Sequence, residues 1–186
     1  AQQQPRCGGV MAYLLDANVF ISARNLHYGF DFCPAFWDWI MQQHLAGKVF
    51  SVEKVRDEIL AGGDELADWV EGLPEGFFKK PDAATMPAFA TIATWVNDHP
   101  DYTPAAKSTF LQVGDYYLIA QALADRQTVV THETPANSRN IVKIPNVCLG
   151  LGVDHMTPFH MLRRERARFV LAPRAGQSAI GASPSR

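Results

Sequence analysis

Hydrophobic and polar positions alternate along this chain in two periods. Short apolar runs end abruptly in polar residues, and longer stretches repeat apolar residues at helical spacing. Residues 13–15 (YLL) run into Asp16, then Ala17, Asn18 and a further apolar run. This pattern predicts a buried strand, a turn and a helix over about 18–24. Residues 25–33 read as a loop. Pro34 opens a helix that Gly47 ends, because proline is tolerated only in the first turn and glycine favours the exit. A very short strand follows at 49–50. Ser51 is then the expected cap of a helix over 52–61. Asp64 begins the next helix, and Phe77 and Phe78 form a strand or a buried turn. A long helix covers about 86–97, and a short one starts at Pro104. Residues 113–124 are the clearest helix, with Leu118, Ile119, Ala122 and Leu123 on one stripe. Residues 127–131 form a strand that ends in Thr131, His132 and Glu133. Residues 141–148 suggest one more short edge strand. The last helix starts at Thr157 or Pro158 and runs through the arginine-rich segment.

Strand, helix and strand in this order predict an α/β fold with a central parallel sheet. A length of 186 residues fits one domain, and 47% hydrophobic residues supply a core. The expected division is an N-terminal extension over 1–10, a single domain over 11–170 and a flexible tail over 171–186. The opening residues AQQQPRCGGV lack the apolar centre of a signal peptide. No apolar run is long enough to cross a bilayer. The three cysteines, Cys7, Cys33 and Cys148, have no metal-type spacing and fit free thiols in a reducing compartment.

Four acids stand out by position. Asp16 follows the first strand, at the end where open α/β sheets bind ligands; the alternative is a helix cap. Glu58 lies at the edge of the stripe Val52, Val55 and Ile59, while Asp57 points away. Asp115 belongs to the buried stripe of its helix, where a carboxylate costs desolvation unless it is paired. Glu133 leaves the sheet on the same edge as Asp16. An all-oxygen set suits Mg²⁺ or Mn²⁺, and such sites serve phosphodiester hydrolysis. A net charge of −2 does not announce a nucleic-acid binder, so contact with RNA would need a local patch. Arg163, Arg164, Arg166 and Arg168 offer one; a solvated helix face or a protein contact explains the same residues. Lys143 is a further cation near the acids. His132, His155 and His160 read as structural, and the four tryptophans as core or interface residues.

The ordered motifs YLLDANVFI, VRDEIL, VGDYYLIAQALA and VVTHE resemble those of the PIN domain family, over about residues 11–148. The resemblance implies a three-layer α/β/α fold and a metal-dependent ribonuclease site. Asp16, Glu58 and Asp115 match the family's first three acids. The fourth is usually an Asp; here Glu133 stands in its place, one bond longer and preceded by His132. Asn18 and Thr131 match positions that orient acids or water. The chain is most similar to a PIN-like bacterial subfamily with a VVTHE-type ending and a following KIPNVC-type segment. Small prokaryotic PIN proteins are often toxins of toxin–antitoxin pairs. The expectations are therefore a cytoplasmic Mg²⁺- or Mn²⁺-dependent endoribonuclease, with RNA as substrate and an antitoxin and a second copy as candidate partners. A non-catalytic module that binds RNA or protein is the alternative, and hydrolysis of another phosphoester is a third reading.

Overall fold

The computed structural model describes residues 11–171. The expected extension over 1–10 and all but the first residue of the expected tail lie outside that range. The elements, in order, are β1 (Tyr13–Leu15), α1 (Ala17–Ser22), α2 (Pro34–Leu45), β2 (Val49–Val52), α3 (Glu53–Leu60), α4 (Glu65–Glu71), β3 (Phe78–Lys79), α5 (Met86–Asp98), α6 (Pro104–Phe110), α7 (Gly114–Asp125), β4 (Thr128–Val130), α8 (Ile144–Leu151), β5 (His155–Met156) and α9 (Pro158–Arg164). A π-helical turn, Ala23–His27, extends α1.

The strands form one sheet in the order β3-β2-β1-β4-β5, and every pairing is parallel. All three residues of β1 and of β4 are buried. Strands buried on both faces require helices on both sides, and this is why they read as unbroken apolar runs. Helix α7 packs across β1, β2 and β4, with α3, α5 and α8 beside it, and α2 packs on β2. The fold is therefore α/β with a central parallel sheet, as the sequence predicts.

The strand order decides where chemistry can sit. From β1 the chain builds outward through β2 to β3, then crosses back to β4 and β5 on the other side. The connections after β1 and after β4 therefore part in opposite directions. The point where they part, at the carboxyl edge between β1 and β4, is where α/β sheets bind ligands.

Three predicted elements differ. Ser51 does not cap α3. It lies in β2 opposite Phe78, fully buried, and its Oγ donates to the Leu15 carbonyl oxygen at 2.6 Å. A serine in mid-strand satisfies its hydroxyl on the neighbouring strand's backbone, so the strand is longer than its two apolar letters suggest. The edge strand expected over 141–148 is the start of α8. Pro145 sits in that helix's first turn, and Ile144, Val147 and Cys148 are its buried face. A proline lacks the donor a ladder needs and suits a first helical turn instead. The edge strand is His155–Met156. Helix α9 stops at Arg164, and Arg166 takes the left-handed conformation (φ 54°) that ends the run.

Candidate functional site

Leu15 and Val130 are paired neighbours in β1 and β4. The next residues, Asp16 and Thr131, must therefore emerge side by side. Asp16 N–H donates to the Val130 carbonyl at 3.0 Å, and Thr131 Oγ1 donates to Asp16 Oδ2 at 2.9 Å. Asp16 is 2% exposed and Thr131 1%. Asp16 occupies the N-cap position of α1, but its carboxylate makes no side-chain cap bond there and is engaged by Thr131 instead. Burial is the main force on it and raises its pKa to about 6. The Thr131 hydroxyl opposes this, the charges of Glu133 and Glu58 add to it, and the Asn18 backbone amide pulls weakly down. Asn18 contributes that amide from an exposed position at the start of α1.

Asp115 arrives from another direction, in the first turn of α7. It is half-buried, and its carboxylate has no hydrogen-bond donor among the described residues. Burial comes first in raising it to about 7; the charges of Asp16, Glu133 and Glu58 push the same way, and Lys143 pulls it down. Gly114, beside it, is buried against α3. A Cβ there would stand 3.5 Å from Glu58 Oε2 and 3.7 Å from Val55 Cγ2. This close approach of α7 to α3 brings Glu58 to the cluster. Glu58 is exposed over much of its surface, and desolvation of its carboxyl still raises its pKa.

Glu133 is engaged differently. Its Oε1 accepts from Lys143 Nζ at 2.6 Å, and its Oε2 accepts from the Ile144 amide at 2.9 Å. Its own amide donates to Thr131 Oγ1 at 3.1 Å. Glu133 thus holds the first turn of α8 and neutralises Lys143. The longer side chain at this position is what reaches that helix. Thr131 Oγ1 accepts from the Glu133 backbone amide and donates to the Asp16 carboxylate, so it ties the backbone at 133 to Asp16.

The structure therefore brings Asp16, Glu58, Asp115, Glu133 and Thr131 within electrostatic or hydrogen-bond reach of one another at this edge of the sheet. The oxygen-only donors, and a carboxylate charge that exceeds the one lysine paired with Glu133, fit a hard cation such as Mg²⁺ or Mn²⁺. The side chains are not gathered into a closed ligand set: among the described residues no three His, Cys, Asp or Glu groups converge as a metal cluster. The fit is one of donor chemistry and charge, centred on Asp16 and Asp115.

The arginines do not join this cluster. Arg163, Arg164 and Arg166 are exposed at the far end of α9. Glu165, among them, accepts from Tyr13 Oη at 2.6 Å and from Lys48 Nζ at 2.6 Å. Tyr13 opens β1 and Lys48 precedes β2, so this end of α9 lies at the amino edge of the sheet. His132 packs in a ring cluster instead of facing a charge. It lies 5.8 Å from His27 and 5.8 Å from Phe159, centroid to centroid. Burial first, and His27 second, lower its pKa, which favours a neutral, structural imidazole. His27 has no signal in the sequence. The bond from Glu133 to the Ile144 amide was also hidden, because it requires residues 141–148 to turn into a helix.

A family model described as a domain of unknown function, DUF4411, matches residues 13–169, and the chain belongs to that family. No curated protein and no solved structure matches it.

Proposed function

We propose that this chain is a Mg²⁺- or Mn²⁺-dependent endoribonuclease of PIN type that hydrolyses RNA phosphodiester bonds. The observation that carries the reading is the coupling of Asp16 and Asp115. Two carboxylates from different elements come together at the switch point of a parallel sheet, where burial raises both and the charge of Asp16 adds to the cost of ionising Asp115. Groups displaced in this way mark functional sites more often than structural ones.

Asp16 and Asp115 would hold the cation, with Glu58 at the rim. Bound there, the ion would supply an activated water and charge stabilisation at the scissile phosphate. Thr131 orients the Asp16 carboxylate by donating to Oδ2. Glu133 acts as a positioning residue: it fixes Thr131 through its amide and Lys143 through its carboxylate. Lys143, at the mouth of the cluster, is placed to meet a substrate phosphate. By family analogy the protein acts in the cytoplasm as the toxin of a toxin–antitoxin pair. No helix among the described residues is long and apolar enough to cross a membrane.

The test is cleavage of a mixed RNA pool with Mn²⁺ by the wild type, Asp16→Asn and Asp115→Asn. Metal-dependent cleavage lost in both variants, with thermal unfolding intact, supports the assignment. Equal activity in all three removes it. Growth arrest on expression, relieved by Asp115→Asn, tests the toxin role; arrest that persists in the variant removes it.

A second reading has one observation in its favour. Both Glu133 oxygens are spent on Lys143 and Ile144, and the acids do not close into a metal cluster. A non-catalytic module that binds RNA or protein would look like this. Calorimetry with Mn²⁺ separates the two, since the module predicts no saturable binding to the wild type.

A further inference from the structure

Beside the acid cluster lies a separate cleft of about 290 Å³, lined by residues of the α5–α6 connection, the segment after β4 and the first turn of α8. One wall is aromatic. The Trp95 and His99 rings lie 4.9 Å apart, and His99 and Tyr102 lie 4.5 Å apart. Trp95 is half-buried, and its indole rests on α8 at Gly150, where a Cβ would fall 2.3 Å from Cζ2. That contact fixes the ring plane. The facing wall is polar and carries Asn137, Arg139 and Asn146.

Apart from Asn146 in α8, the polar wall has no regular secondary structure, yet it is pinned at three points. Glu133 binds the Ile144 amide. Asn146 bonds both to the Ala136 amide at 3.1 Å and to its carbonyl at 3.0 Å. The Arg139 carbonyl accepts from the Thr103 amide at 2.9 Å. Arg139 is exposed, and its Nε donates to the Asp101 carbonyl at 3.3 Å, which leaves the guanidinium end free to meet an anion. Ala136 follows Glu133 by three residues, so the chain alone keeps the two within roughly 11 Å.

We infer that this cleft takes one unstacked nucleobase of a single-stranded RNA, stacked on the Trp95 indole, with Arg139 beside the adjoining phosphate. The inference deepens the proposed hydrolytic function and rests on it for its substrate class. The rings are tilted, by 58° between Trp95 and His99, so a single ring must serve as the platform; an indole face suits any base, because every base has a π-face. A lone cation at the rim suits a phosphodiester better than a neutral ring. The shared segment 133–146 ties the cleft to the acids, so a base held here would lead its strand toward Asp16 and Asp115.

The experiment is fluorescence anisotropy with the full chain in EDTA, which keeps binding apart from cleavage. The probes are a labelled oligouridine hexamer and a hexamer of abasic ribose units. The expected result is binding of oligouridine at least ~10-fold tighter than the abasic probe, the size a stacked base gives. Trp95→Leu should remove that preference. Arg139→Ala, on the surface, should weaken both probes and flatten the salt dependence. Equal affinity for the two probes overturns the inference, as does an unchanged preference in folded Trp95→Leu. Uridine monophosphate binding as tightly as the hexamer overturns the RNA assignment. Base-dependent binding without cleavage sinks the hydrolytic reading alone. Cleavage without base-dependent binding sinks this one alone.

Discussion

Thr131 Oγ1 donates to Asp16 Oδ2 at 2.9 Å across two neighbouring strands, with both residues buried. The bond is the most direct link between the β1 and β4 edges of the site, and it favours the ionised form of Asp16. Thr131→Val keeps the shape and removes the donor. The expected result is a loss of about 1–2 kcal/mol at pH 8, the cost of an unsatisfied buried acceptor, and a smaller loss at pH 5, where Asp16 is protonated. Chemical denaturation at the two pH values checks this. Equal losses would show that the hydroxyl does not serve the carboxylate.

The acids also fix how stability depends on pH. Asp16 and Asp115 have pKa values of about 6 and about 7 when folded, raised from 3.8 in each case. Between about pH 4 and 7 the folded chain therefore binds more protons than the unfolded chain. These two groups contribute stability at low pH that is lost as pH rises through that window. In EDTA, Tm is expected to be lower at pH 8 than at pH 5.5, and Mn²⁺ should restore it at pH 8. A higher metal-free Tm at pH 8 would contradict the charge balance described.

Asp115→Asn removes one of the opposing charges. The variant should be more stable than the wild type at pH 8 without metal, by on the order of 2 kcal/mol, while losing Mn²⁺ affinity and RNA cleavage. A gain in stability coupled to a loss of function is hard to obtain from a merely structural residue. Loss of function with loss of stability would assign Asp115 to the core instead.

Glu133→Gln keeps an acceptor for the Ile144 amide and removes the charge facing Lys143. For a positioning residue, Mn²⁺ affinity should change less than 10-fold, far less than in Asp115→Asn. Calorimetry decides it; an equal loss in the two variants would make Glu133 a direct ligand.

Gly150→Ala tests the packing of α8 on α5. A methyl group would overlap the Trp95 indole, and overpacking of this kind costs about 1–3 kcal/mol. A Tm unchanged from the wild type would place the indole elsewhere.

The parallel sheet was legible because β1 and β4 are apolar runs ending in polar residues, and because helices such as α7 carry a full apolar stripe; the order of its outer strands was not. Asp16 and Asp115 were legible for the same reason: each is a charge written into an apolar pattern. Ser51 misled because a polar residue in a buried strand resembles a cap until its partner, the Leu15 carbonyl, is known. Residues 141–148 misled because Ile, Val and Lys alternate there before Pro145 turns the chain into α8. The role of Glu133 depended on that helix and so stayed hidden with it. The arginines of α9 read as a patch by composition, but the direction of α9 carries them to the amino edge of the sheet.

The pairing of β1 with β4 joins residues 115 positions apart along the chain. The acid centre draws on residue 16 at one end and on residues 131–144 at the other. During synthesis, Thr131 exists to meet Asp16 only after the ribosome has added 115 residues beyond it. No nascent piece that stops before residue 131 can assemble the centre, so any activity it confers begins only after synthesis has passed that point.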